Sequence, residues 1–296
     1  LAQTLATPTE NYRYDTRGNL IETIDAAGAR ALTYYDDLDR RIATVVQAGS
    51  AGNPQGVLST FEYDAGGNLV ARRTYATPIA LPGTGGGMPP VPADGSFRET
   101  RYGYDALDRL VWTRVAEQSV GHWNGAAYVH APRATLETTY EYNVVGDLVR
   151  TTDGTGKSLY SYYDDAGRKI AQVDQQGYLT RWTLDAEGNV LSERRFASPA
   201  GGATSSGYAE PTPGADDRVT EFAYDRMGRR TEERRLNVEA WGLNLANGQL
   251  LGASGTSLIR YTYNLLGQVL TKTEATGDRT TYTYDDAGRL VREARS

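Results

Sequence analysis

Residues 12–21 read Tyr12-Arg13-Tyr14-Asp15-Thr16-Arg17-Gly18-Asn19-Leu20-Ile21, and residues 282–291 read Tyr282-Thr283-Tyr284-Asp285-Asp286-Ala287-Gly288-Arg289-Leu290-Val291. Alternating aromatics, an acidic residue, two variable positions, a glycine and an aliphatic pair describe a strand, a tight turn and a second strand. Asp or Asn opening a turn accepts a hydrogen bond from the backbone two residues on. The fourth position favours a residue that tolerates positive φ, which Gly does best and Asp acceptably. A type I turn followed by a bulge is the hairpin that fits.

Outward from these two stretches the unit recurs, ten copies in all. The anchor that closes the first strand is Tyr14, Tyr35, Tyr63, Tyr104, Tyr142, Tyr163, Tyr224, Tyr263 and Tyr284, with Leu184 in its place once. The turn opens at Asp15, Asp36, Asp64, Asp105, Asn143, Asp164, Asp185, Asp225, Asn264 and Asp285. It closes on Gly18, Gly67, Gly146, Gly167, Gly188, Gly228, Gly267 and Gly288, and on Asp39 and Asp108 in the other two copies. An aromatic sits two residues before the anchor in eight copies, such as Phe61, Trp182 and Phe222, so both rings point to one face of the strand. The seventh residue after the anchor is apolar in nine copies, Thr231 being the exception. Rows of rings at a fixed position are what packing between stacked units requires; stacking on a sugar or a polypeptide is the alternative use.

Anchor spacings are 21, 28, 41, 38, 21, 21, 40, 39 and 21 residues, a base period of 21 with insertions. Short units carry a second turn, at Asp25 to Gly28, Asp153 to Gly156, Asp174 to Gly177 and Glu274 to Gly277, and in the longer units extra sequence replaces it. The insertions cover about 47–57, 76–98, 116–136, 196–217 and 236–257. Pro78 to Gly95 and Pro199 to Gly214 read as irregular surface loops, whereas Asn124-Gly125 and Asn247-Gly248 mark added hairpins. All elaboration leaves one edge of a single array spanning 1–296, and that edge is expected to meet neighbouring parts or a partner.

The composition agrees with short half-buried strands: 21 Tyr, 33 Gly, 4 Phe, 2 Met and 39% hydrophobic residues in 296. No apolar run is long enough for a membrane helix, and the first residues, Leu1 to Glu10, hold no signal-type core. A formal charge of −6, mixed in sign along the chain, offers no clustered basic surface for nucleic acid. Without Cys there is no disulfide, thiolate nucleophile or Cys-ligated zinc.

The Tyr-Asp-x-x-Gly copies, running from Tyr12 to about Glu293, resemble the YD repeats of the RHS family. That family includes shell subunits of bacterial insecticidal toxin complexes, Rhs effectors, wall-associated proteins and teneurins. The resemblance implies an all-β fold, a YD-repeat array of antiparallel β-hairpins in a curved spiral sheet that forms part of a β-cocoon or shell. It also implies toxin or signalling segments enclosed by the shell or carried at its C-terminal end. In several members the repeats end in a core with self-cleaving aspartyl protease activity. Here Asp285 to Arg295 are ordinary repeat sequence, no catalytic residue is carried over, and further repeats are expected on both sides.

Chemical readings of the same residues are weaker. The turn carboxylates invite acid/base catalysis, but Asn143 and Asn264 accept the same turn hydrogen bond and cannot take a proton. Gly154-Thr155-Gly156-Lys157-Ser158 resembles the end of a phosphate-binding loop, yet Leu159 to Tyr163 reads as strand and supplies no helix N-terminus. His122 and His130 offer two metal ligands or a triad base with no evident third member.

The expected function is therefore structural encapsulation, without enzymatic activity or cofactor: part of an exported shell around a C-terminal effector. The alternative is an adhesive or fibre-forming surface module. Expected partners are flanking repeats and the effector of the same parent chain, with glycans or surface proteins under the alternative. Nucleic acid and membrane insertion by this segment are not expected. The expected location is extracellular, on a bacterial surface, or in a cell injected by a secretion system.

Overall fold

The computed structural model describes residues 9–48, 53–93, 96–118, 121–123, 128–130, 134–243 and 250–296. It is all-β, and no helix occurs among these residues. Backbone contacts divide the chain into two units, residues 1–140 with 153–155 and residues 141–152 with 156–296.

In the first unit, strands Asn11–Tyr14, Leu20–Ile24, Arg30–Tyr35, Arg41–Gln47, Gln55–Tyr63, Leu69–Tyr75, Phe97–Tyr104 and Leu110–Gln118 pair antiparallel in succession. Ala134–Tyr142 then joins Leu110–Gln118. In the second, Leu148–Thr152, Ser158–Tyr163, Lys169–Val173, Tyr178–Leu184, Val190–Pro199, Arg218–Tyr224, Arg230–Leu243, Leu250–Tyr263, Val269–Thr273, Arg279–Tyr284 and Leu290–Arg295 do the same. Within each unit, successive repeat strands are spatial neighbours, as two-turn repeats require.

Register explains the apolar seventh position. Tyr35 lies opposite Arg41 but Tyr34 lies opposite Ala43, so Ile42 is an extra residue. The same skip after the sixth position recurs at Ile21, Val70, Ile170, Leu270 and Val291. The seventh residue is thus a bulge residue, and bulges bend a strand and raise its twist.

The core departs from the sequence expectation. Two buried clusters exist among the described residues: Leu32, Ala43, Val45, Leu58 and Tyr75 in the first unit, and Ala171, Val173, Leu179 and Phe196 in the second. Side chains alternate across a strand, so Leu32 and Tyr34 face away from Tyr35. Leu58 likewise faces away from Phe61 and Tyr63. The buried clusters therefore lie on the face opposite the anchor rings, where no repeat-wide pattern marks them.

What covers them are the insertions read as surface loops. In 76–98, Ile79–Ala80 pairs with Gln55–Gly56, and Ile79 and Leu81 pack on the first cluster. In 196–217, Gly201–Thr204 and Gly207–Ala209 form a small hairpin whose Ala203 and Tyr208 pack on the second. These insertions fold back on the sheet because their few apolar side chains find buried partners there. The other two long insertions are hairpins: Gly121–Trp123 pairs with Tyr128–His130, and Arg230–Leu243 with Leu250–Tyr263. The Asn-Gly pairs at 124–125 and 247–248 lie outside the described residues.

Candidate functional site

The repeated turn is the one constellation present in every repeat. In all ten copies the N–H of the opening Asp or Asn donates to the carbonyl of the residue four on, at 2.9–3.0 Å: Asp15 to Asn19 is 2.9 Å and Asn143 to Asp147 is 3.0 Å. The N–H of the closing residue donates back to the opening carbonyl, as in Gly18 to Asp15 at 3.2 Å and Asp39 to Asp36 at 3.1 Å. Gly18 has φ +92°, and Asp39 and Asp108 stand in the same left-handed region at 59° and 58°. The opening side chain is an acceptor inside this loop. Asp15 Oδ1 receives the N–H groups of Arg17 at 2.9 Å and Asn19 at 2.8 Å. Asn264 Oδ1 receives those of Leu266 at 3.0 Å and Gln268 at 2.9 Å in the same way.

These bonds set the acidity of the turns. The Asn19 N–H holds the Asp15 carboxyl below the usual carboxylate range, and the Arg109 and Arg289 N–H groups do the same for Asp105 and Asp285. A base poised near neutrality would need the opposite shift.

Two kinds of tie join turns to the next repeat. The first is the anchor hydroxyl. Tyr35 donates to the Leu20 carbonyl at 3.1 Å, Tyr63 to Arg41 at 2.9 Å and Tyr104 to Leu69 at 3.0 Å. Tyr163 reaches Leu148, Tyr224 reaches Val190, Tyr263 reaches Arg230 and Tyr284 reaches Val269. Every acceptor is the sixth residue after the preceding anchor. Leu184 has no hydroxyl to make this bond, and Tyr14, in the first described strand, is exposed.

The second tie uses a residue the sequence reading passed over, the fourth after the turn opening. Arg40 grips Asp36 Oδ2 at 2.8 Å and extends to the Asp64 carbonyl of the next turn. Arg168 reaches the Asp185 carbonyl at 2.9 Å, Arg229 the Asn264 carbonyl at 2.8 Å, and Gln268 the Gly288 carbonyl at 2.7 Å. Asn19 and Asn68 do the same to the carboxylates of Asp39 and Asp108, at 2.7 Å each. The Arg40 and Arg229 guanidinium groups also lie over the next anchor rings, Tyr63 and Tyr263, at 4.9 and 4.8 Å. The signal was in the sequence: this position is Arg, Asn or Gln in nine of ten copies, Asp147 being the other.

Each cover insertion is held by a buried carboxylate that no repeat pattern announces. Glu22, 3% exposed, binds Arg30 Nε at 2.6 Å, and Arg30 reaches the Pro82 carbonyl and Thr84 Oγ1 at 3.1 Å each. Asp217, also 3% exposed, accepts from the N–H groups of Ala197 and Gly214, both at 3.0 Å, and from Arg194 at 2.8 Å. Burial opposes the charge on Asp217, but these donors outweigh it and keep the carboxyl below its ordinary range. Tyr162 donates to the Thr204 carbonyl at 2.8 Å beneath the second cover, and burial followed by its neighbours Tyr160 and Tyr208 pushes its hydroxyl up to about 12.

The weaker chemical candidates fall elsewhere. Gly154 to Ser158 is the connection between strands Leu148–Thr152 and Ser158–Tyr163, a hairpin turn with no helix behind it. His122 is opposite Val129 and His130 opposite Gly121, so the two histidines are not cross-strand partners.

The RHS repeat family model matches residues 263–296. Double-stranded DNA deaminase toxin A of Burkholderia cenocepacia (strain H111) is 26% identical over 95% of this chain and 20% of its own length. Probable deoxyribonuclease RhsB of Dickeya dadantii (strain 3937) is 26% identical over 96% of this chain and 17% of its own length. This chain thus spans a fifth or less of these relatives. Among solved structures, TcdB2-TccC3-TEV matches over 96% of this chain and 14% of that one, with 17% identity and a TM-score of 0.48.

Proposed function

We propose, from the premise that this chain belongs to the RHS-repeat family, that it is a segment of the wall of an exported shell that encloses a C-terminal effector of the same parent chain. The observation that carries this reading is the pairing of two facts. Similarity to two much longer relatives, named as a toxin and a deoxyribonuclease, extends across almost the whole segment. The segment itself consists of repeated hairpins, many of them tied to the next by tyrosine or arginine side chains.

The segment does no chemistry in this role. Its repeated carboxylates are acceptors for their own turns, and Asn143 and Asn264 serve equally well. A sheet joined repeat to repeat by specific side-chain bonds, in addition to its ladder, resists slippage of register, which a continuous barrier needs. The nine anchor Tyr, the ten opening Asp or Asn and the eight closing Gly are on this reading the structural motif, and one array with its insertions is the unit of the wall.

Limited proteolysis of the full-length parent tests this directly. The C-terminal segment is expected to survive at protease concentrations that digest it once it is expressed alone. Equal susceptibility in the two contexts would overturn enclosure and favour an open surface array.

A further inference from the structure

The two buried clusters correspond position by position. Leu32 and Tyr160 stand 128 residues apart, as do Tyr34 and Tyr162, Ala43 and Ala171, and Val45 and Val173. Leu58 and Leu179 stand 121 apart, as do Tyr75 and Phe196, and Ile79 and Ala200. The change from 128 to 121 falls in one place, the connection after Val45, where the first copy has seven additional residues before Leu58.

The backbone agrees. Val45 faces Leu58 across the ladder and Val173 faces Leu179. The first cover starts where Ile79 pairs with Gly56, and the second where the Ala200 N–H donates to the Gly177 carbonyl at 2.8 Å, 121 residues on. The first cover closes where the Ala76 N–H donates to the Ser96 carbonyl at 2.9 Å. The second closes where the Ala197 N–H, again 121 on, meets Asp217 Oδ1 at 3.0 Å.

The spacings repeat in the same order. Tyr63, Tyr104, Tyr142 and Tyr163 are separated by 41, 38 and 21 residues, and Leu184, Tyr224, Tyr263 and Tyr284 by 40, 39 and 21. A covering insertion is followed by a paired-strand insertion and then by a short repeat, twice over. Independent insertions into identical repeats would have no reason to keep this order, these lengths and these contacts.

We infer that the chain contains two copies of one four-repeat module of about 120 residues, and that each module opens and loses its buried core on its own when its cover is displaced. The 21-residue hairpin is the repeat of the sheet, while the module is the repeat of the core. A hairpin alone presents two or three of the cluster residues. Only strands from two successive repeats plus a cover bring the cluster together. The inference holds whether the array forms a shell or a fibre.

Hydrogen exchange by mass spectrometry on the intact 296-residue chain tests it. Leu58→Ala is expected to accelerate exchange at least tenfold across Leu20–Tyr75 and to leave Ser158–Pro199 unchanged. Leu179→Ala should give the reciprocal result. Leu58→Val and Leu179→Val give the same reading if the larger deletions prevent folding. Acceleration of both segments by either substitution would overturn independent opening. Acceleration confined to the single strand that carries the substitution would overturn the module.

Discussion

Around Asn264 the sheet is held by polar bonds in the open: a side-chain oxygen accepting two N–H groups, an arginine reaching in from the previous turn, and a tyrosine hydroxyl on a carbonyl. Around Leu179 it is held by burial, with a fully enclosed side chain under an inserted hairpin and a buried carboxylate closing that hairpin. The turn bonds of the first kind recur at every repeat, and the joint tolerates change at any one copy, as Leu184 and Asp39 illustrate. The second occurs twice among the described residues and depends on contacts between residues far apart in sequence. The first fixes register along the sheet and the second makes stretches of it cooperative, and the proposed wall would need both.

The comparison predicts a ranking of substitutions by unfolding free energy. Leu179→Ala in the covered region should be the costliest, about 2–5 kcal/mol, because it removes buried methyl groups and leaves a cavity. Denaturant unfolding checks this, and a loss below about 1 kcal/mol would mean the cover adds little. Gly18→Val at a turn should cost about 1–3 kcal/mol. A Cβ there meets nothing within 4 Å, so the penalty is that of holding a branched residue at φ +92°. Asp39→Gly relieves the same conformation but gives up the Asn19 bond to the Asp39 carboxylate, so its net effect should be small.

Tyr163→Phe should cost about 0.5–1.5 kcal/mol, the net value of one hydrogen bond to the Leu148 carbonyl. Leu184→Tyr restores a missing tie and should raise the unfolding midpoint correspondingly. Asp15→Asn should be nearly silent at neutral pH, since Asn264 fills the same role. Its effect appears in acid. The folded-state acidity of Asp15 is depressed, so its contribution is complete above the unfolded carboxylate pKa of about 4 and is lost as pH falls through the lower folded value. The Asp15→Asn variant should therefore lose less stability than the parent between neutral pH and about pH 3, measured by thermal unfolding.

The turns were legible in the sequence because their determinants are local. The opening Asp, the closing Gly and the bonds between them lie within a single short turn and repeat, so Tyr14, Asp15 and Gly18 identify one another. The arginine tie was equally periodic, at Arg40, Arg168 and Arg229, but its partner belongs to the next repeat and gives no meaning to the residue read alone. The face that carries the two covered clusters has no mark in the sequence. The rings are conspicuous in nearly every copy, whereas the position of Leu58 and Leu179 is Thr, Arg, Glu or Ser in six of the ten copies. The covers themselves, rich in Gly, Ala and Pro, carry too few apolar residues to look like anything but loops. Asp217 reads as one more surface acid until Ala197 and Gly214 are brought to it.

The central claim is that these repeats build a closed wall around a segment of their own parent chain. Electron microscopy of the full-length parent tests it most directly. The account predicts a closed hollow particle with density inside it, and an open ribbon or filament with an empty concave side would contradict it.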